Sequence, residues 1–226
     1  MRSPHPHADI RGIEVAEASA MPGVVAILTA GDYRGDGLRP IGHRANPAGA
    51  VDHRERSFGA RGGATVIDLP HWPLAEARVR HIGDPVALVV AGTPAEARDA
   101  AERIAVDYRP LPAVTAAQDA LAEGAPQLWD DAPGNLCIDE QFGDPEAIAA
   151  LFAQAAHVVR GRFHNGRIVN CQMEPRSVIG STGEDGLTVI AGSQGVMRHV
   201  AGLREIMDLP EDGVRVVCPD VGGGFG

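Results

Sequence analysis

Pro85-Val86-Ala87-Leu88-Val89-Val90-Ala91-Gly92-Thr93-Pro94-Ala95-Glu96 is the stretch on which the fold turns. Its first seven residues are apolar without a break, which is the pattern of a strand buried on both faces. Three agreeing signals then start a helix. Thr93 is an N-cap, Pro94 sits at the first helical position, and Glu96 is spaced to reach back to the Thr93 amide. The helix is expected to run to about Ile104, and Val106-Asp107-Tyr108 opens an extended segment that ends at Leu111-Pro112-Ala113-Val114. A strand–helix–strand unit favours a right-handed crossover, so the expected class is α/β (α+β).

Working outward, Pro22-Gly23-Val24-Val25-Ala26-Ile27-Leu28-Thr29 is an apolar run of strand length, expected to be buried. Residues 33–63 are rich in Gly, Pro, Arg and His without periodicity and read as a long excursion. His5 and His7 are two apart, but the prolines around them hold an extended chain, and a metal pair is not the preferred reading. Downstream, scattered Ala, Gly and Pro mark a linker, which gives a first domain at 1–118, a linker at 119–134 and a second domain at 135–226.

The second domain opens on Asp144 as N-cap and Pro145 at the first helical position, with Ile148, Leu151, Phe152 and Ala155 on one face. Residues 157–163 and 167–169 read as strand material, with Asn165-Gly166 either a hairpin turn or a kink in one strand. A hairpin over 177–191 turns at Gly183-Glu184-Asp185-Gly186, and a helix over 196–209 carries Val196, Val200, Leu203 and Met207 as a core stripe. The last stretch, Val214-Arg215-Val216-Val217-Cys218-Pro219-Asp220-Val221-Gly222-Gly223-Gly224-Phe225-Gly226, is a strand feeding a glycine loop that can approach a ligand closely. Gln194, just after the hairpin, is the polar group placed to face the same ligand.

Composition narrows the function. The 226 residues carry a net charge of −10, which argues against nucleic acid as a partner. All 20 basic residues are Arg, so lysine nucleophiles and the phosphate-loop lysine are excluded. Cys137, Cys171 and Cys218 form no CxxC pair, which leaves no zinc-ribbon or iron–sulfur spacing and fits a reducing compartment. No run has the length of a membrane span, and a cytoplasmic location is expected. The terminal glycines lack the helix and the later acidic residue of a dinucleotide fingerprint, and Gly192-Ser193-Gln194 lacks the spacing of a hydrolase elbow. Glu174-Pro175-Arg176 reads as a structural salt bridge or a solvated turn rather than a catalytic pair.

Six motifs nevertheless occur in a fixed order. They are Arg2-Ser3-Pro4-His5-Pro6-His7-Ala8, Pro22-Gly23-Val24-Val25-Ala26, the stretch from Gly83 through Ala91, Val106-Asp107-Tyr108-Arg109-Pro110-Leu111-Pro112-Ala113-Val114, Met173-Glu174-Pro175-Arg176 and Asp220-Val221-Gly222-Gly223-Gly224-Phe225-Gly226. Together they closely resemble the molybdopterin-binding large subunit of the xanthine dehydrogenase, aldehyde oxidase and carbon monoxide dehydrogenase family. The resemblance implies an α/β hammerhead domain followed by the start of a molybdenum-cofactor domain.

It also implies that Gln194 approaches an oxo ligand of molybdenum and that Gly223, Gly224, Phe225 and Gly226 line the metal centre, Gln194 and Phe225 lying in the metal's outer surroundings. The cofactor would be molybdopterin, in its cytosine dinucleotide form, with molybdenum. Iron–sulfur clusters and FAD would be carried by partner subunits, and the substrate would be an aldehyde, an N-heterocycle or a similar small molecule hydroxylated with water. The family's catalytic glutamate has no match here, nor do its further pterin-binding loops or the short segment before the Arg-Ser-Pro-His motif. Gln172 stands where many relatives carry Pro. The chain is therefore expected to be inactive alone, to act with the remainder of the subunit, and to hold its terminal glycine loop disordered in isolation. The alternative is a catalytically silent binding or assembly module that keeps the hammerhead fold.

Overall fold

The computed structural model describes residues 1–42, 65–139, 144–184 and 186–224. In chain order the first half holds β1 (Ala8–Glu14), α1 (Ala16–Ser19), β2 (Val24–Thr29), α2 (Ala30–Gly35), β3 (Thr65–Val66), β4 (Arg78–Val79), β5 (Ala87–Ala91), α3 (Pro94–Ala101), β6 (Ala105–Pro110) and α4 (Ala117–Ala120). The second holds β7 (Ile138–Asp139), α5 (Pro145–Gln154), β8 (Val178–Gly183), β9 (Gly186–Ala191), α6 (Val196–Met207) and β10 (Val214–Val217). The family's mixed helix and sheet arrangement is thus realised. Most of the excursion expected over 33–63 lies outside the described residues.

The helix predicted at Thr93 forms as its sequence requires. The Thr93 hydroxyl accepts the Glu96 N–H at 3.2 Å and donates to the Glu96 carboxylate at 2.9 Å, so Glu96 closes the cap on the hydroxyl rather than on the Thr93 amide. The strands on either side do not form a parallel crossover. β5 pairs antiparallel with β2, Leu88 opposite Leu28, whereas β6 pairs antiparallel with β1 in a different sheet, Tyr108 opposite Ile10. The expectation of a two-face-buried strand is corrected with it. β5 belongs to a two-stranded antiparallel pair, and Leu88 on its uncovered side remains 53% exposed. The apolar run reflects packing on one face, where Ala87 joins Ala18 and Ile104, while Ala8, Val79 and Val86 form an adjoining cluster.

β1 is the centre of the first three-stranded sheet, ordered β4-β1-β6. Its Asp9 stands opposite Arg78 of β4 and Arg109 of β6, and the carboxylate hydrogen-bonds both guanidiniums. His7 is buried, with Nδ1 2.7 Å from the Pro112 carbonyl, and the His5 ring stands edge-on to Tyr108.

The stretch expected as a linker is tied down. The Asn135 side chain accepts from the Leu128 N–H and donates to the Ala120 and Pro126 carbonyls, and the Arg80 guanidinium stacks 3.5 Å over Trp129. Two further links join the halves. β3 pairs with β7, and the Arg39 N–H donates to the Ile206 carbonyl while its guanidinium bridges Asp208 at 2.8 Å.

In the second half α5 is capped by Asp144, whose Oδ1 accepts the Ala147 N–H at 3.0 Å. Its predicted apolar face is exposed along its length. Residues 157–163 and 167–169, read as strand, have no regular structure and are exposed. A β-branched run needs a neighbouring strand to complete its hydrogen bonds, and none of the described strands pairs with it. The hairpin of β8 and β9 forms as expected, with Gly183 opposite Gly186.

Candidate functional site

The site is built by a β9–α6–β10 unit. β9 and β10 run parallel in register, with Leu187 opposite Val214 and Ile190 opposite Val217, so both strands end at the same edge. Val189, Val214 and Val216 are buried there beneath Val196, Val200 and Leu203 of α6, which fixes the helix over the sheet. Met207, the last residue of the expected stripe, stays 37% exposed. The carboxyl ends of adjacent parallel strands are where open α/β sheets leave a crevice for ligands. The first turn of α6 points its unsatisfied amides to the same edge.

Two loops leave that edge. After β9 come Gly192, Ser193, Gln194 and Gly195, where the Ser193 hydroxyl accepts the Gly195 N–H at 3.0 Å. After β10 come Cys218 through Gly224, and the Cys218 thiol lies 3.7 Å from the Ser193 carbonyl, joining the loops. Gln194 lies beside the glycine loop. A Cβ built on Gly224 would fall 3.1 Å from Gln194 Oε1. Gly223 adopts φ 143°, a conformation that favours glycine, and so exposes its backbone to whatever lies opposite. Phe225 and Gly226 lie outside the described residues.

Among the described residues no group of three His, Cys, Asp or Glu side chains gathers to hold a metal ion directly. What this edge offers instead is a side-chain amide, unhindered backbone N–H groups and a helix N-terminus. That set suits hydrogen bonding to the polar atoms of a group that brings its own metal ligands. A cavity of about 640 Å³ lies elsewhere, between residues 67–84 and 128–138, and neither Gln194 nor the glycines line it. Its Arg80, whose pKa burial lowers from the usual guanidinium value, is occupied by Trp129 and the Leu128 carbonyl.

Glu174, read from sequence as part of a family motif and as a structural salt bridge or a solvated turn, was not counted among the site residues. Its carboxylate forms no ion pair with Arg176 among the described residues; it accepts the Gly222 N–H instead. The signal available was indirect: glycines at 192 and 222, each two residues ahead of a site residue, leave room for a side chain that local sequence does not name.

With this geometry in hand, the class follows: an α/β hammerhead domain leading into a molybdenum-cofactor domain. Residues 1–112 match the family described as "Aldehyde oxidase and xanthine dehydrogenase, a/b hammerhead domain", and residues 128–226 match "Molybdopterin cofactor-binding domain". The chain belongs to the xanthine dehydrogenase, aldehyde oxidase and carbon monoxide dehydrogenase family of molybdopterin-binding large subunits.

It is 32% identical to the aldehyde oxidoreductase of Megalodesulfovibrio gigas over 97% of this chain and 22% of that protein. It is 33% identical to the carbon monoxide dehydrogenase large chain of Afipia carboxidovorans over all of this chain and 27% of that one. The crystal structure of quinoline 2-oxidoreductase from Pseudomonas putida 86 superposes with a TM-score of 0.81 at 32% identity, covering 100% of this chain and 27% of that one. The chain thus spans about a quarter of the length of these relatives.

Proposed function

We propose that the chain is the N-terminal part of the molybdenum-cofactor subunit of a molybdenum hydroxylase. Further polypeptide of that subunit, together with iron–sulfur and FAD-carrying subunits, completes an enzyme that hydroxylates an aldehyde, an N-heterocycle or a similar small molecule with water. On this reading residues 1–118 form the hammerhead domain, 119–134 a connection and 135–226 the beginning of the cofactor domain, and the assembly works in the cytoplasm. The observation that carries it is the meeting of Gln194 with Gly224 at the end of two parallel strands. Molybdopterin with molybdenum, as the cytosine dinucleotide, supplies the two-electron redox chemistry when bound.

This chain's residues orient and shield. The Gln194 amide and the Gly223 and Gly224 backbone N–H groups would donate hydrogen bonds to the group without displacing a metal ligand, and the resemblance assigns Phe225 and Gly226 to the same site, Phe225 as a wall against water. Holding or moving the substrate's proton falls to a base on the further polypeptide. The surface supports a need for such polypeptide. Large apolar side chains such as Phe163 (94%) and Met173 (99%) stand open.

The test is to purify the chain alone and together with a polypeptide that supplies the rest of a relative's large subunit, then measure molybdenum and pterin. Molybdenum is expected in the assembled preparation, at a level that falls with Gln194→Ala. Its absence from both preparations would leave a silent assembly module as the better account.

A further inference from the structure

Glu174 sits where the two loops of the site meet. It lies four residues before β8 in a segment without regular structure, and it is half-buried while Met173 and Pro175 on either side are exposed. Its Oε2 accepts the Gly222 N–H. A Cβ built on Gly222 would come within 2.5 Å of Glu174 Cβ, and one built on Gly192 within 2.7 Å of Glu174 Oε1. The side chain is therefore bracketed by one glycine from each loop, and a methyl group at either position would push it out. Gly192 precedes Gln194 by two residues, and Gly222 precedes Gly224 by two.

Another contact between the loops, Cys218 to the Ser193 carbonyl, is a weak neutral donor at 3.7 Å. A carboxylate accepting a backbone N–H is the stronger tie. We propose that Glu174 is the positioning residue of this site: its side chain locks the loop after β9 to the loop after β10 and so sets the distance between Gln194 and Gly224. The purpose of that spacing rests on the function proposed above, but the latch itself does not.

The experiment is carried out on the 226-residue chain without cofactor, isotope-labelled for NMR. In the wild type the Gly222 amide is expected to exchange about tenfold more slowly than a free glycine amide. Glu174→Ala should abolish that protection and move the side-chain NH₂ resonances of Gln194. Glu174→Gln, which keeps the shape and one acceptor, should restore both in part. A residue with a merely structural role would lower the unfolding temperature and leave the Gln194 resonances in place. An unprotected Gly222 amide in the wild-type chain overturns the proposal without recourse to any variant, and so do Gln194 resonances that stay unmoved in Glu174→Ala. Because no cofactor is present, a failed latch is told apart from a failed cofactor assignment, which the metal analysis decides.

Discussion

At the scale of single residues, three glycines are required for three different physical reasons. Gly186 has φ 89°, and a Cβ there would lie 2.7 Å from the Gly213 carbonyl oxygen, a backbone atom that cannot swing aside. Gly186→Ala is expected to lower the unfolding free energy by about 2 kcal/mol, strain and clash acting together. Denaturant titration of the two proteins measures it. Gly222 is instead excluded from growing by Glu174, so Gly222→Ala should cost little global stability yet expose the 222–224 amides to exchange. Among the described residues, the three atoms nearest a Cβ built on Gly224 all belong to the Gln194 side chain. A methyl group there displaces an amide rather than a backbone, so its effect should appear in cofactor retention and not in the unfolding midpoint.

Among elements, the strand that orders the first sheet is β1, through a carboxylate shared across both of its neighbours. The hydrogen bond from Arg109, then that from Arg78, holds the Asp9 carboxyl down at about 2. An unfolded Asp titrates near 3.9, so the Asp9 contribution is fully present above about pH 4 and disappears as pH falls through about 2. The unfolding midpoints of wild type and Asp9→Asn are therefore expected to differ by a constant amount from pH 7 to 5 and to converge below pH 2; a gap that persists in acid would reject the assignment.

At the helices, Thr93→Ala should destabilise the chain by about 1 kcal/mol through loss of the α3 cap, measurable by thermal unfolding. Caps of this kind were legible because a helix start is written within four residues, and the Thr93 and Asp144 signals both appear in three dimensions. Strand pairing was not legible. The run 85–91 looks the same whether its partner is parallel or antiparallel, since sequence states burial and leaves the neighbour open. The Gln194 and glycine pairing was readable because both flank strand ends. Glu174 was not, because its glycine partners are 18 and 48 residues away.

For the whole molecule, the governing fact is the imbalance between surface and core. The residues from 145 to 179 carry Ile148, Leu151, Phe152, Phe163, Ile168, Val169 and Ile179 in the open. Strand-like sequence without a partner strand among the described residues accounts for the exposure of Phe163, Ile168 and Val169, whereas Ile148, Leu151 and Phe152 lie on the uncovered face of α5 and Ile179 lies on the edge strand β8. When the further polypeptide of the subunit is supplied, the amides of 157–169 are expected to slow in hydrogen exchange by at least about tenfold, and binding of a hydrophobic dye to fall. Unchanged exchange in an assembled preparation would place the docking surface elsewhere.

The link from Arg39 to Ile206 and Asp208 also bears on how the chain reaches this state. Asp208 stands 169 positions after Arg39, so during synthesis the first half leaves the ribosome with that contact unmade. Its own strands can close meanwhile, since β6 returns to β1 within about a hundred residues. The β9–α6–β10 unit then arrives later, onto a surface already formed. A slow translation stretch placed after residue 120 should therefore be tolerated, whereas one placed between Asp208 and β10 would hold the site's two loops apart at the moment they must meet.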